Sequence, residues 1–119
     1  MPKNATLDLQ ERCARQAREE FNLEKWGKEE SAELTSHYSV ALNKCFMLTT
    51  WVDIPKTPKG AYGVHRALRD AFERKTYGDY GEHSDKGHIF LCEVKTLSGG
   101  TKTCASSDEF DVLVKPYME

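Results

Sequence analysis

The sequence predicts one α+β domain over residues 1–119: an N-terminal helix, an antiparallel β-meander of about four to six strands, and a short C-terminal helix. An apolar stripe at helical spacing, uninterrupted by Gly or Pro, runs through 7–23. Residues 34–54 and 88–105 alternate apolar and polar side chains, as strands do. Residues 106–117 begin with a helix-capping sequence. This order indicates a sheet covered on one face.

The composition limits both the core and the classes of partner. Leu, Val, Ile and Phe make up about a fifth of the chain, close to the fraction at which chains remain disordered. Disorder also needs high net charge, and here the net charge is only −2. Basic residues are scattered among acidic ones, which argues against a nucleic-acid partner, and no apolar run approaches the roughly 20 residues of a membrane-spanning helix.

The first helix is predicted over residues 7–23. Thr6 is the expected N-cap, and Asp8 in the first turn matches the helix dipole. Apolar residues recur every four positions on the face that should meet the core. These residues are Leu9, Cys13, Ala17 and Phe21.

Two strands should follow the first helix. Alternation from Leu34 to Leu42 predicts the first, Asn43-Lys44 is a turn candidate, and Lys44 to Val52 forms a more central strand. Residues 53–63 contain two prolines and two glycines, which neither a helix nor a central strand tolerates. That segment is therefore predicted to be a loop.

Residues 64–75 fit two patterns. Their apolar positions match a helical face but also match alternation, and the segment runs directly into the aromatic, glycine-bounded stretch 76–81. We interpret the region as a hairpin that turns near residues 73–75, with a helix over 64–75 as the alternative. Residues 82–87 are predicted to be a polar loop.

The C-terminal part reads as a hairpin followed by a helix. Residues 88–96 form a strand, 97–100 a turn and 101–105 the returning strand. In the first of these strands, alternation places Phe90 on the same face as Cys92 and Val94. The capping pattern S-x-x-E at 106–109 then starts a helix that ends near Pro116. Its apolar residues are Phe110, Leu113, Val114 and Tyr117.

The four cysteines favour two disulfides. None are spaced as C-x-x-C, and a thin core in an exported domain is usually compensated by such bonds. A three-residue loop at 97–99 would place Cys92 directly opposite Cys104, near enough for a bridge if the pair is not hydrogen-bonded. By elimination, Cys13 pairs with Cys45. Other connectivities stay open, and so does a set of four buried free thiols.

Exposed aromatic residues are typical anchors of binding surfaces. Four such residues fall in or beside the predicted sheet and the 53–63 loop: Trp51, Tyr62, Tyr77 and Tyr80. We interpret them as a candidate surface for a protein or small ligand. The alternative is that these rings complete a core that is short of aliphatic residues.

A second candidate site is the polar stretch that contains His83, Asp85 and His88. These residue types bind metals, but polar residues are also what a loop ordinarily contains. His37 and His65 are candidates for a general base, and no cofactor is predicted. The preferred function is therefore non-enzymatic binding through the aromatic residues or the loop. The alternative is a small metal-dependent or hydrolytic enzyme that uses the histidine loop.

Three short segments and three single residues carry a likeness to other sequences: Ser-His-Tyr at 36–38, Leu-Asn-Lys-Cys-Phe at 42–46, Asp-Ala-Phe-Glu at 70–73, then Tyr77, Cys92 and Cys104. In these the chain resembles a loose set of small exported bacterial proteins of unknown activity. The resemblance implies a periplasmic or extracellular location, paired cysteines, and strands over 64–80. Residues 1–5 contain no apolar signal segment, so we expect either a mature form with Met1 added or a cytoplasmic protein.

Overall fold

The computed structural model describes residues 3–23, 32–53, 63–83 and 88–119. Six strands form one antiparallel sheet in which spatial order follows chain order, so each strand pairs with the next. The fold is α+β, as predicted. Its elements are α1 (Lys3–Leu23), β1 (Glu33–Ser39), β2 (Lys44–Asp53), β3 (Gly63–Asp70), β4 (Lys75–His83), β5 (His88–Lys95), β6 (Thr101–Thr103), α2 (Ser107–Val114) and a closing 3-10 turn (Lys115–Tyr117).

The first helix is longer than predicted. It begins at Lys3, so Thr6 lies inside the helix and is not its N-cap. The predicted stripe is nevertheless the buried face, because Cys13, Ala17 and Phe21 are all at most 6% exposed. The helix packs on β1 and β2.

Residues 64–75 form strands, which confirms the hairpin interpretation over the helical one. The turn lies slightly earlier than predicted, because β3 ends at Asp70 and β4 begins at Lys75. The buried Asp70 carboxylate accepts hydrogen bonds from the backbone N–H groups of Phe72, at 2.9 Å, and Glu73, at 3.2 Å. Arg74 takes a left-handed conformation with φ of 60°. These contacts stabilise a tight turn between β3 and β4. The apolar spacing of residues 64–75 by itself fits a helix as well as this hairpin.

The β5–β6 hairpin has the predicted register, with Glu93 opposite Thr103 and Val94 opposite Lys102. Cys92 and Cys104 form a disulfide with a Cα–Cα distance of 5.1 Å. The pair is a hydrogen-bonded one, contrary to the expected geometry, because the Cys104 N–H donates to the Cys92 carbonyl at 3.0 Å. The predicted connectivity is confirmed all the same.

The two helices lie on opposite faces of the sheet, so the prediction of a sheet covered on one face is wrong. Side chains alternate between faces along β2. Cys45 and Met47 pack with α1, while Phe46 packs with α2. We call these the α1 face and the α2 face. Because β2 is buried on both faces where these residues lie, it has a continuous apolar run at 45–48.

On the α1 face, a disulfide joins the helix to the sheet. Cys13 is bonded to Cys45 with a Cα–Cα distance of 5.3 Å, as predicted. The Gln10 side-chain amide also pairs with the edge strand: its Nε2 donates to the Tyr38 carbonyl at 3.0 Å, and its Oε1 accepts from the Tyr38 N–H at 3.1 Å. This contact occupies the backbone groups of one edge residue that would otherwise be open to another strand.

On the α2 face, the short helix starts as its sequence predicts. Ser106 is the N-cap, and its hydroxyl accepts a hydrogen bond from the Glu109 N–H at 3.1 Å. Arg66 on β3 anchors the helix through Asp111, at 2.6 Å, and lies 4.8 Å from the centroid of Phe110. Among the residues described, no helix is long and apolar enough to cross a membrane.

Candidate functional site

Three rings form a row across the α1 face: Trp51 on β2, His65 on β3 and Phe90 on β5. Trp51 and His65 are direct partners in the register, and their rings stack with centroids 5.2 Å apart and planes 12° apart. His65 then meets Phe90 edge to face at 6.0 Å. We call these three residues the aromatic row. It lies further along β2 than Cys45 and Met47, which α1 covers.

A glycine and a β-bulge bring Phe90 into the row. The β4–β5 register shifts between Gly81 and Glu82, so Phe90 is the extra residue of β5. The bulge places Phe90 on the α1 face together with Leu91, rather than with Cys92 as alternation predicts. A Cβ atom at Gly81 would lie 2.4 Å from Phe90 Cζ, so the ring occupies the space above the glycine.

One end of the row is exposed and has acidic neighbours. Phe90 is 45% and Leu91 38% exposed, while the other two rings are half-buried. The adjacent cross-strand positions on β4 and β5 are Asp79 and the exposed Glu93, which pair directly. Burial, together with Glu93, raises the pKa of Asp79, and Arg69 opposes this rise. The surface therefore combines apolar area with a border of negative charge.

The backbone register places two further histidines beside the row. His83 and His88 are direct partners at the ends of β4 and β5. On its other side His83 pairs with Gly63, two positions before His65 on β3. Asp85, the third residue of the predicted metal loop, lies outside the described residues.

Tyr77 and Tyr80 lie on the opposite face from Trp51. Tyr80 is 2% exposed and belongs to the α2-face core, where its hydroxyl donates to Glu82 at 2.8 Å. Burial raises the pKa of Tyr80 to about 12. Tyr77 is half-buried and packs edge to face on Phe46 at 5.4 Å and near Tyr117 at 5.7 Å. For these two tyrosines the packing is that of core rings.

The structure therefore does not bring the four predicted binding residues together. Trp51 belongs to the aromatic row, Tyr77 and Tyr80 to the other face, and Tyr62 lies outside the described residues, as does the loop over 54–62. His37, a candidate base, contacts the backbone carbonyl of Glu119.

Two residues of the row, His65 and Phe90, were not among the predicted binding residues. Sequence alternation predicts Phe90 on the same face as Cys92 and Val94. This is wrong because the bulge shifts the alternation by one position, and the bulged residue carries no sequence mark of it. The available signal was Gly81: a glycine inside a strand often marks a bulge or a close approach by another group. Here both apply.

A second exposed apolar feature lies on the α2 face. A groove of about 440 Å³ separates β6 from α2, lined by Lys102, Thr103, Asp108, Glu109, Val112 and Leu113. Val112 is 69% exposed. This groove has no aromatic side chain in its lining, which distinguishes it from the row and makes it a useful reference surface.

No protein-family model, curated protein or solved structure matches this chain. Among the side chains that the structure describes, no three His, Cys, Asp or Glu residues come together as a metal site.

Proposed function

We propose that this chain is an exported bacterial binding domain without catalytic activity, and that it contacts its partner through the exposed end of the aromatic row. The observation that carries the proposal is the continuous row of rings that ends in the exposed Phe90 and Leu91. Rings that only fill a core are buried, whereas exposed aromatic side chains are the usual anchors of interfaces.

The charge next to the row favours a protein segment as the partner. Asp79 and Glu93 border Phe90 and Leu91, and the pKa of Asp79 is raised chiefly by burial and also by Glu93, while Arg69 lowers it. A basic side chain would pair with this border while a neighbouring apolar side chain packs on the rings. The expected partner segment therefore carries Lys or Arg next to an apolar residue.

Two disulfides support the exported location. Such bonds persist in the periplasm and outside the cell and are rare in reducing cytosol. Treatment of cells that make this protein with a thiol-reactive maleimide before lysis tests the location. We expect no labelled cysteine and recovery with the envelope or medium. Full labelling and recovery with the cytosol would contradict an exported domain.

Selection from a phage-displayed library of random dodecapeptides tests the binding surface. Peptides selected on the oxidised full chain should lose affinity about tenfold or more on Phe90→Ser, because truncating a dominant anchor residue costs about 2 kcal/mol or more and a tenfold change is about 1.4 kcal/mol. The matched control is Val112→Ser, which shortens an exposed apolar residue in the α2 groove. Affinity that is lost on Val112→Ser and kept on Phe90→Ser, or a library that yields no binder, would contradict the proposed surface.

A further inference from the structure

The outer edge of β1 directs backbone groups away from the sheet. β1 is the first strand in the spatial order and pairs only with β2. On β2, the Cys45 carbonyl accepts a hydrogen bond from the Ala71 N–H at 2.8 Å, so the backbone groups of Cys45 point away from β1. Its partner Tyr38 therefore directs its own N–H and carbonyl outward, and by alternation Ser36 and Leu34 do the same.

Helix α1 closes this edge at one residue and leaves the next two open. The Gln10 side chain binds both outward groups of Tyr38. In the part of the chain that the structure describes, no such contact reaches the outward groups of Leu34 or Ser36. These two residues thus offer their N–H and carbonyl groups to an incoming strand, and strand addition to an open edge is a common mode of recognition.

The same helix extends over the position beside β1. It crosses the strands, because Gln10 contacts Tyr38 while Cys13, three residues later, is bonded to Cys45 on the next strand. Three helical residues advance about 4.5 Å, close to the spacing of about 4.8 Å between strands. Leu7, three residues before Gln10, therefore lies about one strand beyond β1, and it is 61% exposed. A strand added to this edge would cover the leucine.

The sequence of β1 is complementary to itself. Let two copies of β1 pair antiparallel about a two-fold axis through Thr35. Leu34 of each copy then faces the partner's Ser36, and both open residues form hydrogen-bonded pairs. In the same register the exposed Glu33 faces the partner's His37, and symmetry forms this pair twice. Opposite charges directly across a strand pair are favourable.

Both ends of this pairing agree with the fold. β1 begins at Glu33, so a partner strand in this register ends opposite His37. It does not reach Tyr38, whose outward groups Gln10 occupies. The His37 Nε2 contacts the backbone carbonyl of Glu119, which leaves Nδ1 to donate to the partner's Glu33 when the ring is protonated.

We propose that the chain forms a symmetric homodimer through β1, in which two six-stranded sheets become one continuous antiparallel sheet. Each copy contributes the backbone of Leu34 and Ser36, one residue of each charged pair, and the apolar cover of Leu7. The aromatic row has no residue on β1, so the dimer does not rest on the proposed peptide-binding surface.

Sedimentation velocity of the oxidised full chain over a range of concentrations tests the dimer. We expect a reversible monomer–dimer equilibrium with a Kd of about 100 μM or tighter. Ser36→Pro removes an outward N–H but keeps the hydrogen bonds to β2, since proline is tolerated at such edge positions, and it should weaken the dimer about tenfold or more.

Thr103→Pro is the matched control on the other edge strand, β6. The Cys104 N–H donates inward to the Cys92 carbonyl at 3.0 Å, so the N–H of the preceding Thr103 points outward, as that of Ser36 does. The expected change in dimer affinity is less than about twofold. Urea unfolding of both proline variants checks that each monomer remains folded.

Charge exchange tests the register while leaving the backbone intact. Glu33→Lys puts a cation against the partner's His37, and His37→Glu puts two carboxylates together, so each change should weaken the dimer about threefold or more. The double variant restores an opposite-charge pair and should regain at least wild-type affinity. A residue that only supports the folded monomer would give no such rescue.

Three results would overturn the β1 dimer. The first is a chain that remains monomeric at about 500 μM. The second is an association that Thr103→Pro abolishes and Ser36→Pro leaves unchanged, which would place the contact at β6. The third is a charge-exchange double variant no tighter than the weaker single variant, and this result decides the matter if Ser36→Pro does not fold. None of these results bears on the peptide selections, so failure of the dimer can be told apart from failure of the proposed binding surface.

Discussion

The two ends of the α1 face share strand β2 but are used differently. At one end, Cys45 and Met47 are at most 1% exposed beneath α1, and a disulfide joins helix and sheet. At the other end, the row of rings finishes in side chains that are 38–45% exposed. Small and flexible side chains let a helix approach closely, whereas a row of rings makes a stiff surface of its own. A covering helix and an exposed row of rings therefore divide a single sheet face.

The largest expected effect comes from removing the disulfide at the covered end. In the chain-entropy description, a bridge with 32 residues of separation contributes about 4 kcal/mol and one with 12 residues about 3 kcal/mol. Urea unfolding of Cys13→Ala with Cys45→Ala should therefore show the greater loss, compared with Cys92→Ala with Cys104→Ala. An unfolding free energy that is insensitive to reduction would contradict this contribution.

Truncation of one apolar residue at each end tests the contrast directly. Met47→Ala should lower the unfolding free energy by about 3 kcal/mol, because Met47 is 1% exposed and the change leaves a cavity. Phe90→Ala should cost about 1 kcal/mol, since nearly half of its surface is already in water. Equal losses in denaturant unfolding would show that the row is core like the rest of the face.

High pH should lower the free energy of unfolding through Tyr80, which is buried on the α2 face. The pKa of Tyr80 is raised from 10.0 to about 12 in the folded chain, chiefly by burial. The native state therefore keeps its phenolic proton where the unfolded state has lost it, so this contribution is complete below pH 10 and disappears as the pH rises towards 12. We expect a loss of about 2 kcal/mol across that range.

Tyr80→Phe is the control for this pH effect. It should flatten the decline in unfolding free energy between pH 10 and 12 while leaving peptide binding intact, because Tyr80 lies in the core. If the unfolding free energy of Tyr80→Phe declines as steeply as that of the wild type, another group causes the effect. Tyr117, whose pKa burial also raises, would be the next residue to test.

The smallest expected effect on stability is that of Gly81→Ala. The added Cβ would lie 2.4 Å from Phe90 Cζ, so the exposed ring must move, at a cost of about 1 kcal/mol. Displacing the ring breaks the edge contact with His65, which aromatic proton shifts can detect. Unchanged shifts for Phe90 and His65 would show that the ring does not depend on the glycine.

Local pairing could be predicted from the sequence because turns set register. The three-residue loop at 97–99 is enough to place Cys92 opposite Cys104, and the structure has that pairing. The apolar stripe of α1 and the capping serine of α2 are also local patterns. In the folded chain the stripe is buried and the serine caps the helix, as predicted.

Features that depend on distant pairing were missed. The one sequence signal that both faces of the sheet are covered is the unbroken apolar run at 45–48. Such a run also fits one ordinary strand, so it does not predict the covering. The row needs β3, β4 and β5 in one register and a bulge at Phe90, and no short window of sequence contains that information.

Chemical-shift mapping of a library-selected peptide on the ¹⁵N-labelled, oxidised full chain shows where on the sheet the peptide binds. If it binds through the aromatic row, we expect amide shifts at Trp51, His65, Phe90 and Leu91, with those around Met47 and Val112 unchanged. Shifts confined to Val112 and Leu113 in the α2 groove, with the row unaffected, would contradict it.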